Sequence, residues 1–579
     1  MHPGGVQFFE EFWASIFGTK EWVLRFPFVI MGLFSICLTY KIGRRFFDCK
    51  TGVFASTLLT ITYFPVIHSE LARPYSPGLF FVLLSTWFWF NFFFNNNSQN
   101  NKSKWINAIC LGISFSITMY IHYFAFMLVL FMGLSGLFFI KKSTIIPYLT
   151  SGLISILLFF PHIEITYYHL SIENGLQWLS RPEGSWLLKF IFYSINDSYI
   201  LLSTIVFLII FGRIKRNEKN KKNVKKTLIF CLWFFGIYII AFTFSYLKSP
   251  ILKFPVMLFP LPFLFILIGR FFERTTNIIF NISFVILIIV GTSSTIFEKE
   301  LFGNKHFGVF RELTEPIIQW QSKHGKENTH LFMNLNNPDY LNFYIQKTNE
   351  KLLFDKHLIG FKDHISIRKE LMKSNKDYCI IGYSSRLTLP QIYETCKEFY
   401  PVILDYKKLN NCAVFLLSKY GKSKKTNKQI IAEFHPEKQN DEWIYKKNQL
   451  TKNFYLSDTS NIYGPNIIFQ SEDINCKFQY YIRAYIEAES NIKNELTVNL
   501  TATRNGLPVK DINGKNIWIG CDLENMINYP KLNEKSYFSF SLPKEIKPKD
   551  NIQISLWNRN GFPVEIKYIK IEAIENIWN

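Results

Sequence analysis

Up to about residue 295 the chain alternates long apolar runs with short basic clusters, and few folds are compatible with that alternation. A hydrocarbon core about 30 Å thick asks for about 20 mostly apolar residues per helix. Runs that meet this lie at 24–40, 52–67, 77–94, 105–121, 123–140, 144–161, 199–214, 227–246, 254–272 and 277–294. The clusters Lys41/Arg44/Arg45/Lys50, Lys102/Lys104, Lys141/Lys142, the stretch from Arg213 to Lys226, and Arg270/Arg274 occupy every second loop. Loops rich in Lys and Arg stay on the cytoplasmic side. The N-terminus, the loops at 68–76, 122, 162–198 and 247–253, and everything after 294 are therefore expected outside. Residues 8–17 are too short and too acidic to span and read as an amphipathic helix lying in the interface, as do residues 186–195. There is no cleavable leader pattern.

The 60 Phe and 18% aromatic content fit this reading, because so large an apolar surface must face lipid or be buried. The net charge of +21 would otherwise suggest nucleic acid, but in the first half it sits in the loop clusters, so no nucleic-acid partner is expected. Nine Cys stand singly without a CxxC pair, which removes zinc ribbons and redox motifs. Cys396 and Cys412 are either a pair or two buried thiols.

After residue 296 the chain turns polar and rich in Lys and Asn. From 310 to 419 strand and helix alternate, with HLFMNL, a helix over 338–346, DYCIIGY, a helix from Pro390, and CAVFLLSK, which reads as a small α/β layer. It carries no GxGxxG or P-loop. Beyond 426 short alternating strands are punctuated by Asn505-Gly506 and Asn560-Gly561, the mark of a β-sandwich. The expected fold is thus a multi-span helical membrane bundle over 1–296, an extracytoplasmic α/β domain over 297–425 and a β-sandwich over 426–579. Trp518 and Trp557 either stack on sugar rings or belong to the packing.

The string from His68 to Ser76, HSELARPYS, joins a carboxylate, a guanidinium and a phenol where one run ends and the next begins. Arg73 has the planar donor fork that suits a phosphate, Glu70 can orient it or face a sugar that gains positive charge, and Tyr75 can donate a hydrogen bond. The same string also suits an Arg–Glu pair that pins a loop at the bilayer surface.

The order of His2-Pro3, Phe17-Gly18, Glu21 to Pro27, Gly43-Arg44-Arg45-Phe46-Phe47 and Glu70-Leu71-Ala72-Arg73-Pro74-Tyr75 resembles the protein mannosyltransferase and aminoarabinose transferase family. These are C-type glycosyltransferases that use polyprenyl-phosphate sugars. The resemblance is good over residues 1–274 and vaguer beyond. It implies transfer of a sugar from a polyprenyl-phosphate donor to a lipid, glycan or protein acceptor on the outer face of a bacterial inner membrane. It further implies Arg73, Tyr75 and Lys253 at the donor phosphate, His2 and Glu70 as catalytic candidates, and His122 and Tyr123 in the substrate cavity. His122 at a tight turn also suits a capping role, and Lys253 a headgroup contact.

No cofactor is indicated; a divalent metal is an option left open by the resemblance, without a ligand set in the sequence. The family's acidic first-loop motif comes before the His-Pro string, with which this chain opens, so a truncated and inactive frame is expected. A second reading is a degenerate, non-catalytic member that anchors a glycan-binding sandwich to the membrane. A transporter would show mid-bilayer charges or internal repeats, and neither is found.

Overall fold

The computed structural model describes residues 3–94, 101–171, 181–214, 224–273, 275–302, 309–345, 352–360, 363–384, 390–409, 412–422, 426–438, 440–474, 480–489, 496–511, 515–522, 536–543 and 545–575. The chain divides into two units, Met1–Asn304 and Lys305–Asn579.

The first unit is helical: α1 (Gly5–Phe17), α2 (Glu21–Phe46), α3 (Cys49–Ile61), α4 (Tyr63–Ser69), α5 (Tyr75–Phe94), α6 (Asn101–Ile121), α7 (Tyr123–Gly136), α8 (Ile145–Phe159), α9 (Ile163–Ser171), α10 (Trp186–Ser194), α11 (Tyr199–Ile214), α12 (Val224–Cys231), α13 (Ile237–Leu247), α14 (Leu261–Gly269) and α15 (Asn277–Ser293). Among the described residues, six helical stretches are long and apolar enough to cross a membrane. Two bent pairs, α3 with α4 at 66° and α10 with α11 at 89°, raise the number to eight, and Tyr123–Phe139 and Leu261–Phe272 are shorter apolar helices. Each of the ten apolar runs is thus helical, but not all are straight or full-length spans, and the chain is a multi-pass membrane protein. Large apolar side chains such as Leu130, Leu153, Ile156, Phe207 and Ile289 point outward, as expected of helices that face lipid rather than water.

The basic loops meet one another. The Lys50 ammonium donates to the Thr275 carbonyl, Lys226 Nζ donates to the Phe46 carbonyl at 3.0 Å, and Arg270 reaches Thr227 while lying over the Phe47 ring. The clusters at 41–50, 226 and 270 therefore share one end of the bundle, as the charge pattern requires.

The two chain breaks are fastened together. Asn196, 2% exposed, accepts the Tyr63 N–H at 2.7 Å and donates to Thr295 Oγ1 at 2.9 Å and Ser294 Oγ at 3.2 Å. Thr295 Oγ1 donates on to the Ile61 carbonyl at 2.5 Å, and Lys299 pairs with Asp197 at 2.6 Å. Asn196 and Asp197 hold φ of 69° and 51°, a left-handed conformation that Asn and Asp tolerate better than other non-glycine residues. One amide in the α10/α11 bend thus satisfies the Tyr63 N–H left open at the α3/α4 bend and ties both to the end of α15. Asn196→Gly keeps the backbone freedom and removes the amide, so we expect it to cost about 2–3 kcal/mol, read as a lowered melting temperature of the full chain in detergent.

The second unit begins with α16 (Arg311–His324) and a sheet of order β1-β2-β4-β3, formed by β1 (Thr329–Asn334), β2 (Tyr378–Ser384), β3 (Val402–Leu409) and β4 (Cys412–Ser418), with α17 (Asp339–Asn342), α18 (Asp363–Met372) and α19 (Pro390–Phe399) between them. β1 and β2 run parallel and the other pairs antiparallel. Apolar cores on both faces explain the unbroken burial of β1 and β4. The helix expected over 338–346 is only the four residues of α17. Cys396 and Cys412 are buried thiols that form no disulfide.

The sandwich follows: β5 (Lys428–Phe434), β6 (Tyr455–Ser457), β7 (Tyr463–Gln470), β8 (Tyr480–Glu489), β9 (Leu496–Arg504), β10 (Leu507–Pro508), β11 (Trp518–Asp522), β12 (Ser536–Phe540), β13 (Asn551–Asn558) and β14 (Val564–Glu575). Its sheets have the orders β10-β9-β13-β7 and β12-β8-β14-β5, and Leu496, Val498 and Ile552 share one core with Phe434, Ile482 and Ile566. Asn505 and Gly506, at φ of 50° and 78°, make the tight hairpin between β9 and β10 that their sequence foretold.

Candidate functional site

The turn 70–74 joins α4 to α5 at the end of the bundle opposite the basic loops. The Arg73 N–H closes on the Leu71 carbonyl at 2.8 Å, and the guanidinium is exposed. Helix α1 lies against this turn. Its Val6 packs with Phe28 and Ile121, and Phe9 and Ala72 pack on the same cluster. Gly5 makes this approach possible, because a Cβ there would stand 2.7 Å from the Tyr120 carbonyl oxygen. The Gly4 N–H reaches His162 Nε2 at 3.4 Å. The outer face of α1 shows Phe8, Phe12 and Ile16 at spacings of four, the stripe expected of a helix lying in the membrane interface.

This packing brings Glu10 into the electrostatic reach of Arg73. Burial pushes the Glu10 carboxyl above its ordinary value, and Arg73 pulls it partly back. Burial likewise raises Glu70, offset by Arg25. Yet none of the side chains of Glu10, Arg25, Glu70 and Arg73 makes a hydrogen bond or ion pair among the described residues, and one oxygen of Glu10 is buried without a partner. The Arg73–Glu70 pin allowed by the sequence is therefore not formed. Four charges, two of each sign, gather at one turn and stay unneutralised by contact.

Beside them sits an aromatic and imidazole group. The Tyr75 ring lies 5.0 Å from His68, 6.1 Å from His122 and 6.4 Å from Phe259, centroid to centroid. His122 is buried and caps α7, its Nδ1 accepting the Phe124 N–H at 3.0 Å. The capping role allowed by the sequence is thus present. Tyr123 turns to another partner, His169 Nδ1, at 2.8 Å. Lys253 is largely exposed, partial desolvation pulls its ammonium down, and it opens the segment whose Phe259 packs on Tyr75 and His122. The next residue, Phe254, meets Tyr193 at 4.8 Å and Trp186 at 5.2 Å, which makes an aromatic wall behind Lys253. His2 lies outside the described residues. Trp518 is 54% exposed on β11, and Trp557 is half-buried on β13.

Tyr75 thus lies between His68 and His122, with Arg73 and Glu70 on the turn that leads into it. Glu10 and Arg25 are not among the site residues that the sequence points to. The signal for Glu10 was its place four residues after Val6 and three before Trp13, on the inward stripe of α1.

Among known proteins, an uncharacterized protein of Aquifex aeolicus (strain VF5) is 32% identical over 80 residues, a match that covers 14% of this chain and 16% of the relative. ArnT from Cupriavidus metallidurans bound to undecaprenyl phosphate superposes with a TM-score of 0.45 at 12% identity, over 72% of this chain and 87% of that one. Arabinofuranosyltransferase AftD from Mycobacteria superposes with a TM-score of 0.39 at 7% identity, over 96% and 53%. The Archaeoglobus fulgidus oligosaccharyltransferase in the apo form gives 0.36 at 9%, over 100% and 89%. Residues 1–165, which hold the whole turn and α1, match the family model of the dolichyl-phosphate-mannose-protein mannosyltransferases, the family whose motifs this part of the sequence resembles.

Proposed function

We propose that this chain is an integral membrane glycosyltransferase that takes a sugar from a polyprenyl-phosphate donor at the outer face of a bacterial inner membrane and passes it to a lipid, glycan or protein acceptor. The observation that carries this reading is the exposed Arg73 fork, held at the membrane boundary beside carboxylates that it does not contact. An uncommitted guanidinium is free to receive a phosphate bidentately. In the transfer the bond between the sugar's anomeric carbon and the phosphate oxygen breaks, so the lipid phosphate gains charge as it leaves. Arg73 meets that charge, together with Lys253 and the Tyr75 hydroxyl. Glu70 takes the proton of the acceptor hydroxyl, while His122 and Tyr123 shape the space for the sugar. Glu10 acts on Arg73 through its field and not by contact, and His2 keeps its role on the strength of its motif alone. The convergence of the basic loops at the other end supports an outward-facing site, with the α/β layer and the sandwich outside.

The raised carboxyl of Glu70 makes a direct test. A base must be deprotonated, so transfer rises with pH as the medium passes a value above the ordinary carboxylate range, and then levels. Transfer of radiolabelled sugar from polyprenyl-phosphate donors in membranes is expected to show that acid limb, and Glu70→Gln to remove it while lowering the rate by about 10²-fold. A Glu70→Gln protein with the parent's rate and profile would leave Glu70 without the role of base, and no transfer from any donor by the unmutated chain would defeat the reading itself.

A further inference from the structure

The second unit holds a cluster of ligating groups far removed in sequence from the membrane turn. His330, on β1, is 3% exposed. Its Nδ1 lies 3.3 Å from Asp355 Oδ2 and 4.0 Å from Glu370 Oε1, and the donor atoms of the three residues lie within 4.8 Å of one another. Despite this proximity Nδ1 forms no aligned hydrogen bond, so a buried ring nitrogen is aimed between two carboxylates without a partner.

The outer groups fix that arrangement. His330 Nε2 lies 2.6 Å from Ser374 Oγ, which accepts the Lys376 N–H at 3.2 Å and faces the Tyr400 hydroxyl. Nε2 serves this hydroxyl best as a donor, which leaves the lone pair on Nδ1, facing the carboxylates. The ring itself is stacked at 5.4 Å on Phe332 and met edge-on by Tyr400 at 6.3 Å, so it cannot turn away easily. Asp355 Oδ2 is held by the Leu331 N–H at 2.6 Å, and its other oxygen is 3.7 Å from Lys376 Nζ. A lone pair directed at two anionic oxygens is repulsive unless a cation lies between them. Ligating histidines are oriented in this way, through a hydrogen bond from their second nitrogen.

We propose that His330 Nδ1, Asp355 and Glu370 hold a divalent transition-metal cation of the Zn2+ or Mn2+ class. Bonds of about 2.0–2.2 Å place tetrahedral donors about 3.4 Å apart, which the His330–Asp355 separation already meets. Glu370 is half-exposed on α18 and closes the remaining distance by a rotamer change. One imidazole and two carboxylates form a borderline donor set, better suited to Zn2+ or Mn2+ than to Mg2+ or Ca2+, which prefer oxygen ligands only. The unit is thereby pinned where β1, the segment before α18 and α18 itself converge.

The test uses the full chain in detergent micelles. Metal content is measured after equilibrium dialysis against Zn2+, Mn2+, Mg2+ and Ca2+, with melting temperature as a second readout. The comparison is with Glu370→Gln, which alters a half-exposed helix position and leaves the fold standing, and with Asp355→Asn. We expect the parent to retain about one equivalent of Zn2+ or Mn2+ and to melt higher with it, and Glu370→Gln to bind at least about tenfold more weakly. No retention by the parent, or equal binding and equal stabilisation in parent and Glu370→Gln, overturns the proposal in favour of a plain histidine–carboxylate ion pair.

Discussion

Arg73→Ala is expected to lower kcat/KM for sugar transfer by about 10²–10³-fold, the loss typical when a donor aimed at developing negative charge is removed. Folding should hardly change. The guanidinium is exposed and makes no ion pair or hydrogen bond among the described residues, so its removal leaves the packing of α1 on the turn intact. Melting temperature and activity are thus expected to separate, with stability within about 0.5 kcal/mol of the parent. Arg73→Lys keeps the charge and loses the planar fork, so it should recover only a minor part of the rate. Donor binding, followed with labelled polyprenyl-phosphate sugar, should weaken along the same series. Unchanged transfer in Arg73→Ala would remove this turn from the donor site.

The largest structural effect is expected at Arg483 in the second unit. Its guanidinium lies 2.6 Å from Glu394 and 3.2 Å from Glu572, and rests on the Tyr485 ring at 5.0 Å. Tyr481 donates to Glu394, and Lys570 stands 2.6 Å from Glu572. Glu394 belongs to α19 and is 4% exposed, while Glu572 on β14 is 1% exposed, so the group ties the α/β layer to one sheet of the sandwich. Gln391 adds to this tie by accepting the Ser539 N–H at 2.7 Å. Arg483→Met leaves two buried carboxylates short of a partner, at a cost of about 3–5 kcal/mol.

The pH dependence carries a sign. Burial works to raise the Glu572 carboxyl, but Lys570 and Arg483 hold it below its ordinary value. A depressed folded value means that the parent loses stability as pH falls through it. In Arg483→Met the carboxylates gain by protonation, so the deficit should shrink on acidification. Melting and limited proteolysis of the full chain in detergent at about pH 7 and about pH 5 would show this, and an equal deficit at both would refute it.

Much of the architecture was legible because lipid and sheet impose simple periods. Ten apolar runs became ten helical stretches, and the alternating segments at 480–489, 496–504 and 564–575 became strands with the Asn505-Gly506 hairpin in place. The bend of α3/α4 was not legible, since composition demands no break there; at α10/α11 the interfacial stretch 186–195 and the apolar run 199–214 already stood apart in the sequence, but how the two bends are fastened was not legible. They depend on Asn196, whose partners lie 98 to 133 positions away. At the candidate site, Arg73 and Tyr75 stood out by motif. Glu10 did not, because its role comes from the packing of α1 and not from its neighbours in sequence. The same holds for His330, Asp355 and Glu370, which are joined only when β1, a loop and α18 close on one another.

The close seat of Gly5 on Tyr120 has a mechanical consequence. Helix α1 is a lever hinged at that point, and Glu10 rides on it five residues along, about 7.5 Å from the hinge at 1.5 Å per residue. Any side chain at position 5 would act as a shim, tilting the lever and changing the gap between the Glu10 carboxylate and Arg73. The strength of the field around the guanidinium is in this way set by the thickness of a single residue that carries no charge and touches neither partner.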